Sequence, residues 1–362
     1  MFFHKNSSLF QKEYIKVSLD LPRKLPLKNI IVISLESLED SFANDGLVKP
    51  RNLIPRLTSL KRDGVNFDGY VDMISMRPTI PSFFAKNCGI PGRPDIFLAY
   101  KNYTQFSNAR CVFDVLKNNG YHTFFLTGGN LTDEGAASFF KTHPADFALG
   151  RKELLKMGVS QQDSTYFIPD SQVYKFAKRL LSEPQNNPFG LYIVTTDTHD
   201  SKNGNYYVEK GCKKQFNDFR DAIRCLDKVT YAFIKWCQSQ PWYKNTVIYL
   251  IGDHLMRNSN LSSFPNKIAK YPNRQVYALM LDGSSNARKI NRKFTQVDFA
   301  PTFLESVGFT CPALGLGHSL FREKPTLIER LGKKEMENGI QNGQNDFQDI
   351  VLGKTFSIEE KK

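Results

Sequence analysis

The stretch Asn29-Ile30-Ile31-Val32-Ile33-Ser34-Leu35-Glu36 decides the fold. Its first seven residues form a nearly continuous run rich in β-branched side chains, without the alternation of a strand that shows one face to water. Such a run belongs to a strand buried on both faces of a parallel sheet. Further strands are expected at His122 to Thr127, Leu191 to Thr195, Thr246 to Ile251 and Gln275 to Leu281. Helical patterns separate them: Leu53 to Arg62 closed by Gly64, Cys111 to Asn119 stopped by Gly120, Ser171 to Leu181, Phe219 to Ser239, and Asp298 to Val307 with Pro301 in its first turn. Strand, loop and helix repeated in this way call for an α/β fold, a predominantly parallel central sheet flanked by helices.

That architecture has a functional consequence. Ligands of open α/β sheets bind outside the carboxyl ends of the strands, and here three strands end in Glu36, His199 and Asp253-His254. Two carboxylates and an imidazole suit a divalent ion such as Mn²⁺, Mg²⁺ or Zn²⁺. A fourth ligand could come from Thr79 in Arg77-Pro78-Thr79-Ile80-Pro81-Ser82-Phe83, which places Thr79 just ahead of a helix running toward Gly89. Free N–H groups and the positive end of the dipole converge at such a terminus and favour a phosphoryl group. A threonine hydroxyl is a poor nucleophile at neutral pH, and a bound cation lowers its pKa. His199 is then free for proton transfer.

Composition agrees with an anionic partner. The 362 residues are 41% hydrophobic, and 49 Lys and Arg against 36 Asp and Glu give a formal charge of +13. Zinc-finger spacing, an RNA-binding aromatic motif and a concentrated basic stripe are all missing, so nucleic acid is set aside. No stretch approaches the roughly 18 apolar residues of a membrane span, and no signal peptide precedes the fold. Residues 1–28 read as an extended, basic lead-in and residues 323–362 as a polar tail with one weak helix, leaving 29–322 as the catalytic domain. The six cysteines lack CxxC spacing, which leaves disulfides and buried thiols both open.

Beyond the residues themselves, Asn29 to Ser37, Thr79 to Pro91, Asp197-Thr198-His199, Pro241 to Thr246 and Gly252-Asp253-His254-Leu255 resemble the alkaline phosphatase/sulfatase superfamily. Within it they are most similar to the phosphoglycerol transferase I and lipoteichoic acid synthase-like family. Gln296 to Leu304 and Leu314 to Leu320 fit the late part of that domain, and the resemblance covers about residues 25 to 322.

The resemblance implies one metal ion, Mn²⁺ above the others, held by Glu36, Thr79, Asp253 and His254, with Thr79 as nucleophile. It implies attack on phosphatidylglycerol, a glycerophosphate held on the threonine, and transfer to a glycan or glycerol hydroxyl, or to water. His199 matches a family histidine near the phosphoglycerol group. Asn130, in the Gly128-Gly129-Asn130 turn, and His318, in a Gly-rich turn, are further candidate substrate contacts. Cys88 with Cys111 and Cys212 with Cys225 match positions paired in periplasmic relatives. The implied setting is therefore the periplasm or cell envelope, at a membrane surface carrying the anionic phospholipid donor.

Two departures accompany the resemblance. Relatives carry membrane helices ahead of this domain, so either an anchor lies outside this chain or the protein is a soluble form. Relatives also have a basic residue where this chain reads Thr132 to Ser138. Two alternatives follow: a phosphoethanolamine transferase acting on lipopolysaccharide, and a non-catalytic remnant that binds a glycan or lipid headgroup. Sulfate ester hydrolysis is disfavoured. Sulfatases begin with Cys or Ser before x-Pro-Ser-Arg, whereas Thr79-Ile80-Pro81-Ser82-Phe83 starts with Thr, which cannot form the aldehyde hydrate, and ends with Phe.

Overall fold

The computed structural model describes residues 8–44, 52–92, 108–132, 135–160, 166–185, 187–199, 207–256, 268, 271–283, 287–343, 345–347 and 349. An eight-stranded sheet forms its centre: β1 (Asn29–Leu35), β2 (Val65–Tyr70), β3 (His122–Thr127), β4 (Phe147–Leu149), β5 (Phe189–Val194), β6 (Thr246–Gly252), β7 (Ala278–Asp282) and β8 (Arg288–Phe294). The order is β4-β3-β5-β1-β6-β7-β2-β8. Only β7 is reversed, pairing antiparallel with β6 and β2 while every other pairing is parallel. The expected fold class holds.

β1 behaves as its composition requires. Ile30 and Val32 enter one apolar cluster with Phe83, Phe84 and Phe303, while Ile31, Ile33 and Leu35 enter a second with Leu57, Phe219 and Ile234. Each of these residues is buried. At about 1.5–3 kcal/mol per fully buried aliphatic side chain, the strand is an anchor for both helical layers.

Three strands of this sheet were not foreseen. β8 carries Arg288, Lys289 and Lys293 at exposed positions on a sheet edge, where charge discourages pairing with other chains. β2 includes Asp68 and Gly69, residue types uncommon in strands, yet its Val65, Phe67 and Tyr70 are buried. β4 has only three residues.

The terminal segments pack on this body. The lead-in forms a helix, Leu9–Glu13, whose Phe10 meets Phe347 with ring centroids 5.2 Å apart. Residues Ile15 and Arg23 bridge to Gly315 and Phe309. Past residue 323 a helix spans Leu327–Asn342, broken in φ/ψ at Gly332, and buries Met336 and Ile340. Residues 351–362 lie outside the described ones.

The helix Thr79–Cys88 is buried along its whole length. Pro81 falls in its first turn, where no N–H partner is needed, and Gly89 ends it at φ +65°, a left-handed conformation natural only to glycine. Cys88 bonds to Cys111, locking the helix end to the start of the helix Val112–Asn118, and Cys212 bonds to Cys225. Cys237 and Cys311 are free and buried. Replacing both Cys88 and Cys111 by serine is expected to cost about 3 kcal/mol, the loop-closure value for a separation of this size. Urea midpoints of the double variant and wild type check this, and equal midpoints would contradict it.

Candidate active site

Register brings Glu36 and Asp253 together. β1 and β6 pair from Asn29↔Thr246 to Leu35↔Gly252, so the next residue of each leaves the sheet beside the other. A side chain at Gly252 would place its Cβ 2.1 Å from the Leu38 carbonyl oxygen, which explains the glycine before Asp253. Ser37 adopts φ +56°, a conformation uncommon for serine and worth attention at a functional site. From there its N–H donates to Asp253 Oδ1 at 2.7 Å and its Oγ donates to Glu36 Oε1 at 2.7 Å.

His254 completes a trio. Its Nδ1 lies 2.9 Å from the Leu255 carbonyl, which can only accept, so Nδ1 carries a proton and Nε2 is the nitrogen turned toward the two carboxylates. Nε2 is 3.6 Å from Glu36 Oε1 and 3.5 Å from Asp253 Oδ2. Neither Nε2 nor Asp253 Oδ2 has a hydrogen-bond partner among the described residues, although both side chains are buried. Leaving such atoms orphaned costs about 1–3 kcal/mol each. Ligand atoms of Glu36, Asp253 and His254 lie within 4.8 Å of one another, and this hard-oxygen-plus-imidazole set fits a divalent ion.

Thr79 is the first residue of its helix, with Pro78 at the cap position, rather than the residue ahead of it. Its Oγ1 donates to Glu36 Oε2 at 2.7 Å. Three residues of this helix, spaced by three and four, share one face and address the same strand ends. After Thr79 comes Ser82, whose Oγ donates to the Asp253 carbonyl at 2.7 Å. Lys86 follows, its Nζ donating to Ser34 Oγ at 3.0 Å and to the Gly252 carbonyl at 3.3 Å. Burial and the Asp253 charge push the Glu36 carboxyl upward. Burial resists ionisation of Asp253 too, but His254 and Lys86 outweigh it and hold that carboxyl below its usual range.

His199 arrives from the neighbouring strand. β5 pairs with β1 to Ser34↔Val194, and the loop beyond is stitched to Glu36: the Glu36 N–H donates to Thr195 Oγ1 at 2.9 Å, and Thr198 Oγ1 donates to the Glu36 carbonyl at 2.7 Å. The His199 N–H donates to the Thr196 carbonyl at 2.9 Å, and its ring meets Phe167 at 5.5 Å. All four proposed metal contacts and His199 thus border the carboxyl edge of β1, β5 and β6.

Sequence reasoning missed the carboxyl cluster behind this loop. Asp170 accepts from the N–H groups of Thr196 (2.8 Å) and Asp197 (3.3 Å), and Asp197 accepts from the Asp170 N–H (3.1 Å). Glu209 accepts from the Ser171 N–H at 2.8 Å. In the sequence Asp170 reads only as an acidic first-turn residue of the helix Asp170–Ser182. Burial raises its pKa to about 7 from 3.8. The folded protein therefore retains a proton that the unfolded chain releases, so this group's contribution to stability falls as pH rises from about 4 to about 7. Asp170→Asn removes that dependence. The melting temperature of the variant minus that of wild type is expected to rise between about pH 5 and pH 8, whereas a difference independent of pH would contradict the assignment.

Asn130 Nδ2 is 3.4 Å from the Tyr166 hydroxyl, Tyr166 packs edge-on against Phe167, and Phe167 meets His199, so Asn130 belongs to the outer wall on the His199 side. His318 is buried on β10 (Gly317–His318), paired with β9 (Ala313–Leu314), and its N–H donates to Asp298 Oδ1 at 2.9 Å. Burial, with Lys324 and Arg330 nearby, lowers its pKa to about 4. The charges bearing on it come mainly from the terminal segments. Asp133 and Glu134, in the stretch lacking a basic residue, lie outside the described residues. A second ligand-like grouping, Cys111, Asp114 and His143, has its sulfur committed to the disulfide.

Comparison with known proteins settles the lineage. The family model described as "Sulfatase" matches residues 28–309. The chain belongs to the sulfatase family. A phosphoglycerol transferase I from Citrobacter koseri is 29% identical over 277 residues, covering 71% of this chain and 34% of that protein. The chain therefore spans about a third of the length of this curated relative. In the fold, an alkaline phosphatase superfamily protein from Vibrio parahaemolyticus superposes with TM-score 0.68 at 20% identity, over 91% of this chain and 77% of that one. The lipoteichoic acid synthase LtaP from Listeria monocytogenes gives 0.64 at 16% identity, over 83% and 79%. Among the described residues no helix is long and apolar enough to cross a membrane.

Proposed function

We propose that this chain is a metal-dependent phosphoglycerol transferase that works through a phosphorylated Thr79. The supporting observation is the 2.7 Å hydrogen bond from Thr79 Oγ1 to Glu36, set beside the orphaned Asp253 Oδ2 and His254 Nε2. Glu36, Asp253 and His254, with Thr79, would hold one divalent ion, Mn²⁺ by the family resemblance. Bound there, it would neutralise phosphoryl charge and lower the hydroxyl pKa.

The chain's own groups account for the rest. Glu36 orients the Thr79 hydroxyl and accepts its hydrogen bond, so the lone pair is directed away from the carboxylate. Thr79 Oγ1 gives its proton to Glu36 and forms the bond to phosphorus as the bond to the diacylglycerol oxygen breaks, and that oxygen takes a proton from His199. In the second half His199 removes a proton from the acceptor hydroxyl, the new oxygen–phosphorus bond forms, and the Thr79 bond breaks as its oxygen takes the proton back from Glu36. The Asp170 carboxyl fixes the loop that presents His199 through the Thr196 and Asp197 N–H groups.

The donor assignment draws on the name shared by the phosphoglycerol transferase relatives and on the motif match. A lipid donor implies work at a membrane surface, and the two disulfides suit an oxidising compartment such as the periplasm. Asn130 is assigned to the outer substrate wall. The acceptor is a glycan or polyol hydroxyl, or water.

Diacylglycerol release from vesicles of phosphatidylglycerol or phosphatidylethanolamine, each with Mn²⁺, tests this reading. Release from phosphatidylglycerol is expected. Preference for phosphatidylethanolamine would instead assign a phosphoethanolamine transferase, and a metal-loaded protein acting on neither lipid would overturn the enzyme assignment.

A further inference from the structure

Lys86 is the one lysine or arginine among the described residues that is completely buried, at 0% exposure. A buried ammonium is costly unless charge and hydrogen bonds compensate it. Its two acceptors are Ser34 Oγ and the Gly252 carbonyl, two residues before Glu36 and one before Asp253. The carboxylates that compensate it are Asp253 and Glu36 themselves. The charge thus lies beneath the centre, on the helix face that carries Thr79, and away from solvent.

We propose that Lys86 is a built-in counter-charge that keeps Glu36 and Asp253 assembled when no ion is bound and weakens the centre's hold on a divalent ion, making that ion exchangeable. The inference rests on Glu36, Asp253 and His254 being the metal ligands. Without Lys86, two buried carboxylates would face each other across β1 and β6 with no fixed cation. With a divalent ion bound, the ammonium becomes a like charge held nearby in a medium of low polarity, where repulsion is strong. The residue therefore helps the empty protein and opposes the loaded one. Lys86 is a positioning residue, and its role is visible in binding rather than in turnover.

The test measures Mn²⁺ affinity by calorimetry and melting temperature with and without saturating Mn²⁺, for wild type, Lys86→Met, Lys86→Gln and Lys86→Arg. The neutral variants are expected to melt earlier than wild type without the ion, to match or exceed it with the ion, and to bind Mn²⁺ at least about tenfold more tightly. Lys86→Arg, which keeps the charge, is expected to stay near wild-type affinity. Unchanged or weaker binding by the neutral variants overturns the inference. Their failure to fold even with saturating Mn²⁺ overturns it too, because the role belongs to the empty centre. A wild type that binds no Mn²⁺ would instead remove the metal reading on which the inference stands.

Discussion

Thr79→Ala is expected to reduce headgroup release from phosphatidylglycerol by roughly 10³-fold or more, the scale on which loss of a nucleophile is felt. The fold should survive. Thr79 gives one hydrogen bond, to Glu36 Oε2, and Glu36 keeps the second from Ser37, so the stability cost is about 1 kcal/mol. Thr79→Ser retains a hydroxyl at the same helix start and is expected to recover part of the activity. Turnover by Thr79→Ala equal to that of wild type would exclude Thr79 as the nucleophile, whatever else the trio does.

Asp253→Asn separates the ligand charge from the scaffold. Asp253 Oδ1 accepts from the Ser37 and His254 N–H groups, and an asparagine oxygen can keep both. The change falls on Oδ2, which faces His254 Nε2 at 3.5 Å with no hydrogen-bond partner of its own among the described residues. At a hundredfold excess over its dissociation constant, Mn²⁺ is expected to stabilise wild type by about 2.7 kcal/mol. In Asp253→Asn that gain should be lost and turnover should fall to background, and the variant without ion should melt below wild type, because the buried Lys86 ammonium loses a carboxylate that compensates it. Melting curves with and without Mn²⁺, and metal analysis of the purified proteins, check both halves. An unchanged Mn²⁺ shift in the variant would place the ion elsewhere.

The outline of the site was legible because its chemistry follows from strand ends. A run such as Ile30 to Leu35 has one physical use, a strand covered on both faces, and a parallel sheet sends every such strand to the same edge. Glu36, His199, Asp253 and His254 could therefore be placed together without knowing a single contact. What tunes them could not. Lys86 escaped notice because a lysine in a helix ordinarily faces solvent, but the helix Thr79–Cys88 has no solvent face. The positive φ of Ser37 and the grip of Asp170 on the His199 loop depend on register between segments distant in the chain. β8 escaped notice because its charges carry no apolar period, and His318 joined the candidates only through its Gly-rich surroundings. In the structure its N–H donates to Asp298, and charges of the terminal segments bear on its ring.

Covalent capture on Thr79 is the central claim, and mass spectrometry of the acid-quenched protein is its most direct test. After brief incubation with phosphatidylglycerol and Mn²⁺, the peptide carrying Thr79 is expected to gain one glycerophosphoryl group, and the matching peptide of Thr79→Ala is expected to gain none. Steady turnover without any adduct on that peptide, or an adduct that persists in Thr79→Ala, would contradict it.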